Sequence, residues 1–478
     1  MFKTYLEASD FITENGIKMV NFKEIDLAGR WHHLTVPAER FTPELLQKGI
    51  GFAGSSYGFL SVEKSDMVFI PDITSAFVDP VADMPTLTMI GDIYTIGTEL
   101  SRFEKDPRFV AEKAEKYMRD TGVSDECLFG PEFEFYILDN AEFRTEINHI
   151  EVHLDSEQAC WNTIDSPYDP PFNNTGFKVA MKKGYHVDLP KDKSFDLRNL
   201  MVRTLEDHDI PVKYHHTENG GPGQVEIEVN FATLKEMADR TQKLKYIVRN
   251  LAVKNGKTVT FMPKPFVGEA GSGMHVHLQM FNKGEPIFYD RNGYSCLSRA
   301  ALYAIGGIMK HSASLLAFTN PSTNSYKRLV PGYDAPVTIC FATANRSSVV
   351  RIPGYALAPE DKRFEFRPSD ATCNPYLCYS ALAQAMVDGI VNKIDHTPYG
   401  PYDKNMYSLS ADEIGKVGFL PKSVDEAIAA LEADHDYLLA GGVFTKELID
   451  DQIRALRKDV EEIGIIPHPA EFVKYYDL

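Results

Sequence analysis

Strict alternation of apolar and polar side chains in four short segments is the feature of this chain that most restricts its fold. Residues 130–138 read GPEFEFYIL, so Glu132 and Glu134 face one side of a strand while Phe133 and Phe135 face the other. The same period recurs in QVEIEVNF (224–231), MHVHL (274–278) and RFEFR (363–367). The polar positions there are Glu226, Glu228, Asn230, His275, His277, Arg363, Glu365 and Arg367. A sheet with one apolar face and one charged face is therefore predicted.

The polar faces of these strands allow two interpretations. For any single strand, the solvated outer face of an antiparallel sheet is the commoner explanation. The set as a whole favours a site, because carboxylates recur with histidines and arginines while lysine is absent from these faces. Carboxylates gathered on one surface repel one another unless cations neutralise them. Carboxylate oxygens with one or two imidazoles suit Mg²⁺ or Mn²⁺.

Arginines in Pro-, Asn- and Ser-rich segments provide a second indication of chemistry. They are Arg328, Arg346, Arg351 and Arg367. Guanidinium groups bind phosphate and carboxylate through paired hydrogen bonds, so an arginine-lined pocket beside metals suits phosphoryl transfer. Scattered surface salt bridges are the alternative for any one of them. The chain has no GxxxxGK[ST] segment, which excludes an ordinary P-loop nucleotide site.

The length of 478 residues predicts two or three domains. Up to about residue 100, short strands punctuated by prolines indicate a small α+β module, and we place the domain boundary near 105. Elements predicted from periodicity include strands at 17–25, 32–36, 51–56 and 67–71, and helices at 4–15, 108–121, 233–255, 296–314 and 423–463, the last broken near Gly441–Gly442.

Charge and composition exclude some classes of protein. The net charge of −18 argues against a nucleic-acid partner, because binding to the phosphate backbone needs a basic face. No apolar stretch approaches the length of a membrane span, and MFKTYLEASDF does not resemble a secretory signal. The six scattered cysteines favour reduced thiols in a cytoplasm over a disulfide framework or a zinc-thiolate site.

Longer blocks of sequence carry a specific resemblance. KPFVGEAGSGMHVH (264–277), NPSTNSYKRLVPGYDAPV (320–337), NRSSVVRIP (345–353) and GPEFEF resemble signature blocks of bacterial-type (class I) glutamine synthetases. Shorter matches include GSS (54–56), NPYLCYSA (374–381) and GGVFT (441–445). The similarity runs in order from about Gly16 to Tyr476, which is essentially the whole chain.

The resemblance implies an α+β architecture with two domains. Residues 1–105 would form a β-grasp domain, and residues 106–478 a catalytic domain built on a curved antiparallel sheet flanked by helices. It also implies a cytoplasmic homo-dodecamer of two stacked hexameric rings. In such an assembly each active site is completed by the N-terminal domain of a neighbouring subunit.

The resemblance also implies a set of site residues. One Mg²⁺ or Mn²⁺ would be held by Glu134, Glu218 and Glu226, and a second by Glu132, His275 and Glu365, with room for a third. ATP would contact His277, Arg351, Arg363 and Arg346. L-Glutamate would lie against Gly271, Arg328, Arg367 and His275. Ser56, Tyr185, Glu218 and the flap residue Asp334 would surround ammonia. The implied reaction is formation of glutamine through a γ-glutamyl phosphate.

Departures from the family pattern cluster where ammonia would bind. Members that use ammonia usually read DGSS, whereas this chain reads AGSS and has Ala53 in place of the aspartate. Asp334 replaces the flap glutamate and is one methylene shorter. Three functions therefore stay open at this point: an ammonia ligase, a γ-glutamyl ligase for an organic amine or polyamine, and a catalytically silent or regulatory homologue. Tyr407 matches a tyrosine that some relatives adenylylate, which alone does not establish that regulation.

Overall fold

A seven-stranded sheet forms the N-terminal part of the protein. The computed structural model describes residues 2–163, 175–330, 336–403 and 417–475. The first elements are α1 (Tyr5–Glu14), β1 (Met19–Ile25), β2 (Trp31–Pro37), α2 (Pro43–Lys48), β3 (Ile50–Ala53), β4 (Asp66–Pro71), β5 (Phe77–Val78), β6 (Thr86–Ile96) and β7 (Leu100–Arg102). The strand order is β2-β1-β6-β4-β3, with β5 and β7 also paired to β6. Strands β1 and β6 run parallel.

Local sequence fixes where the first helix begins. The Thr4 hydroxyl accepts a hydrogen bond from the backbone N–H of Glu7, and the Glu7 carboxylate accepts one from the backbone N–H of Thr4. This reciprocal cap satisfies donors that the first helical turn leaves free. Ala8 of α1 then packs with Phe22 and Met89 in the small core of this sheet.

A second sheet, of ten strands, carries the alternating segments. The remaining elements are α3 (Pro107–Asp120), β8 (Glu126–Leu138), β9 (Asn140–Glu146), β10 (His149–Asp155), α4 (Phe195–Glu206), β11 (Val212–Thr217), β12 (Gln224–Val229), β13 (Ala232–Thr233), α5 (Leu234–Lys254), β14 (Thr258–Thr260), β15 (Met274–Asn282), β16 (Glu285–Pro286), α6 (Arg299–Thr319), α7 (Ser325–Arg328), β17 (Thr338–Thr343), β18 (Ser348–Ile352), β19 (Phe364–Phe366), α8 (Pro375–Val391), α9 (Val424–Ala433), α10 (Asp436–Leu439), α11 (Lys446–Gly464) and α12 (Pro469–Tyr475).

The order of this second sheet is β11-β12-β8-β15-β19-β18-β17, with β13 and β14 on β8 and β16 on β15. Among the described residues its pairs are antiparallel apart from β17–β18, which is parallel. Strands β9 and β10 form a separate hairpin. The sheet is thus largely, but not wholly, antiparallel.

Helices cover the apolar face of the large sheet. Phe133, Val276 and Phe366, from three adjacent strands, are buried in the main core. Helix α5 packs on β8, and α6 packs along α8. The opposite, polar face is left available for a site. No helix in the described part of the chain has both the length and the apolar character needed to cross a membrane.

Several predicted elements have adjusted boundaries. The helix predicted at 296–314 begins at Arg299, because the Ser298 hydroxyl accepts a hydrogen bond from the backbone N–H of Ala301 and caps it, and it ends at Thr319. The strand predicted at 51–56 ends at Ala53, and residues Gly54–Tyr57 form a 3₁₀ turn. The predicted break in the last long helical region is present, since Gly441 has a φ of +68°.

Candidate active site

Strand pairing places the polar positions of the alternating segments side by side. In the β8–β12 pair, Glu134 is opposite Glu226 and Glu132 is opposite Glu228. On the other edge of β8, Glu132 is opposite His275 of β15. Further across the sheet, His277 is opposite Glu365 of β19, which is opposite Arg351 of β18. Directly opposed residues share one face of a sheet, so one polar surface extends over five strands.

The polar surface is buried. Glu365 is 0% exposed and His277 is 1% exposed, while Glu226 and Glu228 are also buried. A solvated outer face, the alternative that the sequence left open, is therefore wrong for these strands. Buried charges need partners, and the pairing of these groups decides what the surface can bind.

Glu132 lies at the centre of this surface between two histidines. One of its oxygens is 2.9 Å from His275 Nδ1, and the other is 2.8 Å from His277 Nε2. Arg328 donates to His275 Nε2 at 3.3 Å, so that nitrogen accepts and the Nδ1–H donates to Glu132. Burial alone would raise the pKa of Glu132, but the hydrogen bonds from His275 and His277 outweigh burial and hold the pKa well below its ordinary value.

Glu365 is paired with two of the predicted substrate-binding arginines. Arg351 Nη1 donates to one carboxylate oxygen at 2.5 Å, and Arg367 Nη1 donates to the other. Burial opposes ionisation of this group, yet the Arg367 guanidinium lowers the pKa of Glu365 to about 2. In this structure Arg351 and Arg367 therefore neutralise a predicted metal ligand.

Two further carboxyls lack such compensation. Burial and the neighbouring Glu134 raise the pKa of Glu218 to about 8. Burial and the neighbouring Glu132 raise the pKa of Glu226 well above its ordinary value. Carboxyls resist ionisation when nearby positive charge is too small, so this end of the surface has room for cations.

Among the residues that the structure describes, three groups of side chains bring their ligand atoms within 4.8 Å of one another. They are Glu132, His275 and Glu365; Glu132, Glu228 and His277; and His216, Glu218 and Glu226. The first group has the membership predicted from the sequence. In the third, His216 takes the place predicted for Glu134, whose carboxylate instead accepts a hydrogen bond from the Gly273 N–H at 2.7 Å. Carboxylates with few imidazoles and no thiolates fit Mg²⁺ or Mn²⁺.

Two members of these groups, His216 and Glu228, were not among the metal ligands predicted from the sequence, although Glu228 was placed on the polar face of its strand. His216 is opposite Glu226, and its Nε2 lies 3.4 Å from a Glu226 oxygen. One oxygen of the Glu228 carboxylate is buried without a hydrogen-bond partner. The detectable signal was the continued alternation of Tyr214, His216 and Glu218 along the preceding segment.

A small cavity of about 50 Å³ opens onto these groups. Gly271, Arg328, Arg346 and Arg367 line it together with the carboxylates. Arg328 is buried and donates to the carbonyls of Pro368 and Arg367 at 2.6 and 3.2 Å. A Cβ on Gly271 would lie 2.8 Å from Arg328 Cγ, so a side chain there would displace this arginine.

Arg363 lies beside the cluster rather than inside it. Its guanidinium is 5.5 Å from the ring centroid of Tyr355, and that of Arg351 is 5.9 Å from the same ring. Tyr355 is 59% exposed whereas both arginines are buried, so the ring lies on the solvent side of the two guanidinium groups. Guanidinium groups flanking an exposed aromatic ring can bind phosphate groups or a planar base.

The residues predicted around the amine are more dispersed. Tyr185 lies in a neighbouring cavity of about 460 Å³ and contacts His216 edge to face, with ring centroids 5.6 Å apart. Ser56 and Ala53 are exposed on the N-terminal sheet and line neither cavity. Asp334 and Tyr407 lie outside the described residues.

Comparison with known families covers almost the whole chain. The family model of the glutamine synthetase β-grasp domain matches residues 16–96, and that of the glutamine synthetase catalytic domain matches residues 104–475. These matches confirm the predicted fold class, a β-grasp domain followed by a glutamine synthetase-type catalytic domain.

Individual relatives agree with the family models. The chain is 44% identical to the glutamine synthetase of Aquifex aeolicus, over 99% of this chain and 98% of the relative. It is 45% identical to that of Streptomyces coelicolor over the full length of both. Among solved structures, Plasmodium falciparum glutamine synthetase superimposes with a TM-score of 0.88 at 26% identity over 99% of each chain. The structure of GmaS without ligand superimposes with a TM-score of 0.78 at 26% identity, over 98% of this chain and 99% of the GmaS chain. The chain therefore belongs to the glutamine synthetase family.

Proposed function

We propose that the protein is an ATP-dependent ligase that joins the γ-carboxylate of L-glutamate to ammonia. The observation that supports this most directly is the buried polar face of the large sheet. Six glutamates meet there with histidines and arginines. Burial and neighbouring carboxylates raise the pKa values of two of them, Glu218 and Glu226. A surface of this kind matches a reaction between two anions, ATP and a carboxylate.

Divalent cations are the charges that this surface lacks. We assign one Mg²⁺ or Mn²⁺ to Glu132, His275 and Glu365, and another to Glu134, Glu218 and Glu226 with His216 as an added donor. The third group, Glu132, Glu228 and His277, offers a site for a third ion. Bound there, such ions would neutralise the carboxylates and polarise the phosphate oxygens of ATP.

The arginines bind and orient the two anionic substrates. A γ-carboxylate oxygen of glutamate attacks the terminal phosphorus of ATP, which gives γ-glutamyl phosphate and ADP. Ammonia then attacks the acyl carbon, and inorganic phosphate leaves.

We assign Arg328 and Arg367, with Gly271, to the binding of glutamate. ATP is assigned to Arg351, Arg363 and His277, and the transferred phosphoryl group to Arg346. Arg351 and Arg367 must exchange the Glu365 carboxylate for the substrates, since both bond to Glu365 here.

The amine half of the site is proposed to require a second chain. We assign Tyr185, Glu218, Ser56 and Asp334 to it, although Ser56 is exposed on the N-terminal sheet and does not line the cavity. A neighbouring subunit that supplies Ser56 would complete the site. We therefore propose domains of 1–105 and 106–478 in a homo-dodecamer of two hexameric rings. The cysteines support a proposed cytoplasmic location of the protein, because all six are free thiols.

An organic amine is the second candidate acceptor. Ala53 removes the carboxylate with which ammonia-using relatives attract ammonium, and Ala53 is exposed on the N-terminal sheet. Loss of a negative charge weakens capture of a small cation and leaves space for an alkyl group.

Phosphate release from ATP tests both proposals. The assay contains L-glutamate and Mg²⁺, with ammonium, methylamine, ethanolamine and putrescine offered separately. Turnover with ammonium at low millimolar concentration supports the ammonia ligase and contradicts the shifted acceptor. Turnover with an organic amine but not with ammonium supports the organic-amine ligase and contradicts the ammonia ligase. No release with any acceptor would indicate the catalytically silent homologue.

A matched pair of variants tests the metal assignment. Glu226→Gln keeps the side-chain shape but removes a ligand charge, so activity should fall more than about 100-fold. Glu461→Gln makes the same change on the exposed face of α11 and should keep full activity. Calorimetric Mn²⁺ titration supplies a second readout. Normal Mn²⁺ affinity in Glu226→Gln would contradict the assignment.

A further inference from the structure

A second large cavity, of about 630 Å³, lies between the N-terminal sheet and the helices of the catalytic domain. One wall is residues 27–31, from the loop after β1 to the start of β2, and the others include α5, the segment 259–262 at β14, the start of α8, and α11. Within the described part of the chain, this cavity and the active-site cavity share no lining residue. Its volume is in the usual range for small-molecule sites.

The walls of this cavity are held by specific hydrogen bonds. Asn374 Nδ2 donates to the Asp26 carbonyl at 3.1 Å, and Gln242 Nε2 donates to the Gly29 carbonyl at 3.0 Å. Gly29 has a φ of +80°, and a Cβ there would lie 2.9 Å from Asn374 Cα. The loop is therefore fitted closely to the catalytic domain, and the cavity between them is pre-formed.

The charge of the lining is opposite to that of the protein. Arg30, Lys245 and Arg249 line the cavity, and Asp459 is the one carboxylate among its described lining residues. The whole chain has a formal net charge of −18 at pH 7. None of these three cations has a carboxylate within ion-pair distance in the residues that the structure describes. A concave surface with unpaired positive charge concentrates anions.

Lys245 is the buried cation of this lining, and Arg249 lies one helical turn further along α5. Lys245 is buried, its Nζ donates to the Ala371 carbonyl at 2.7 Å, and burial lowers the pKa of Lys245 to about 8. Arg249 lines the same cavity but is exposed to solvent, and its guanidinium lies 5.3 Å from the ring centroid of Phe261. An anion between them would supply the missing counter-charge and accept hydrogen bonds from both.

We propose that this cavity is a binding site for a small organic dianion, either a dicarboxylate or a phosphate monoester. Arg249 and Lys245 bind one acidic group, and Arg30 on the facing loop reaches the other. Trp31 and Phe261 line the space for the carbon skeleton, with Gln452 as a polar partner. A bare inorganic ion would leave most of this volume unfilled.

Isothermal titration of the assembled protein tests the proposal, with succinate and glycerol 3-phosphate in separate arms. We expect saturable binding of at least one of them, and the arm that binds identifies the acidic group. Arg249→Gln should weaken binding by about tenfold or more, because a charged hydrogen-bonding partner is lost. Arg240→Gln is the control, since it lies on the same helix, pairs with Glu236 and is absent from the cavity.

Arg30→Gln provides a second variant on the opposite wall and should weaken binding in the same way. Thermal unfolding of each variant shows whether it is folded, and neither arginine has an ion pair to any residue in the described part of the chain. Binding that Arg249→Gln and Arg30→Gln leave unchanged would overturn the proposal. So would the absence of binding by both anions at millimolar concentration. The titration requires no turnover, so either result leaves the ligase proposal untouched.

Discussion

Arg108 joins the two parts of the chain through one buried guanidinium. It is 1% exposed and donates at 2.8 Å to Asp72 and to Asp92 of the N-terminal sheet. It also donates to both carboxylate oxygens of Asp239 in α5, at 3.0 and 2.8 Å. Such a group stabilises a structure only as long as every charge in it keeps its partner.

Replacing Arg108 should therefore be severely destabilising. Arg108→Met leaves three carboxylates without their shared cation, and we expect the free energy of unfolding to fall by about 3–5 kcal/mol. Urea denaturation measures this loss. Arg119→Met on the exposed side of the same helix is the control and should change stability by less than about 0.5 kcal/mol. Equal effects from both variants would show that the domain contact does not depend on Arg108.

Ala53 is the residue at which acceptor choice can be tested most directly. Ala53→Asp restores the carboxylate of the ammonia-using pattern, so the KM for ammonium should fall by about 10–100-fold. The reason is that a carboxylate forms charged hydrogen bonds with ammonium that a methyl group cannot form. Ala82→Asp, in the exposed loop between β5 and β6, should leave that KM unchanged. An unchanged KM in Ala53→Asp would mean that position 53 does not contact the acceptor.

At the scale of elements, a histidine links three segments of the helical layer. In α6, His311 Nδ1 lies 2.8 Å from Asp434, which follows α9, and its Nε2 lies 2.9 Å from Asp388 of α8. Both ring nitrogens face carboxylates, so only the imidazolium can donate to both. Burial alone would lower the pKa of His311, but the hydrogen bonds to Asp388 and Asp434 outweigh burial and raise it.

This arrangement predicts a pH-dependent contribution to stability. A raised folded-state pKa means that the contribution is complete below the unfolded value of about 6.5 and is lost as pH rises through the folded value. His311→Gln should therefore lower the free energy of unfolding more at about pH 6 than at about pH 9. Urea denaturation at both pH values gives the difference, with the exposed His468→Gln as control. A pH-independent effect would show that His311 is neutral in the fold.

The sequence predicted strands well where the two faces differ in polarity. Strands β8, β12, β15 and β19 alternate because one face packs on helices and the other forms the site. Strand β6 escaped prediction because its first six residues are all buried, so no alternation marks them. Helix α8 was recognised only as a motif, since it is buried almost all round and lacks an amphipathic stripe.

His216 could not be predicted as a site residue from the local sequence pattern. Ligands on one strand, such as Glu132 and Glu134, could be grouped from their spacing alone. His216 joins Glu218 and Glu226 only because β11 pairs with β12 in a particular register. Register between strands is set by the packed faces and the connecting turn, which a local pattern does not encode.

At the scale of the whole molecule, the proposed amine residues and the metal cluster lie on different sheets. Ala53 is the last residue of β3 at the edge of the N-terminal sheet, and Ser56 lies in the turn that follows. Both residues are exposed. The carboxylates belong to the large sheet, where Glu134, Glu226, Glu228 and Glu365 are buried and Glu132 and Glu218 are partly buried. Closed rings place the same surface of each subunit against the next one, so an exposed edge can complete a neighbour's site.

Mixing two inactive variants tests this arrangement. Ala53→Arg places a cation where the amine must enter, and Glu226→Gln removes a metal ligand, so each homo-oligomer should be inactive. If each active site is shared between two subunits, co-assembly of the two variants in equal amounts brings some intact N-terminal domains against intact catalytic domains. Random assembly then restores about a quarter of the sites. If each site lies within one chain, every chain retains one lesion and mixing restores nothing. Phosphate release by the co-expressed protein, compared with each variant alone, separates these outcomes, because only a shared site can be repaired by a subunit that is itself inactive.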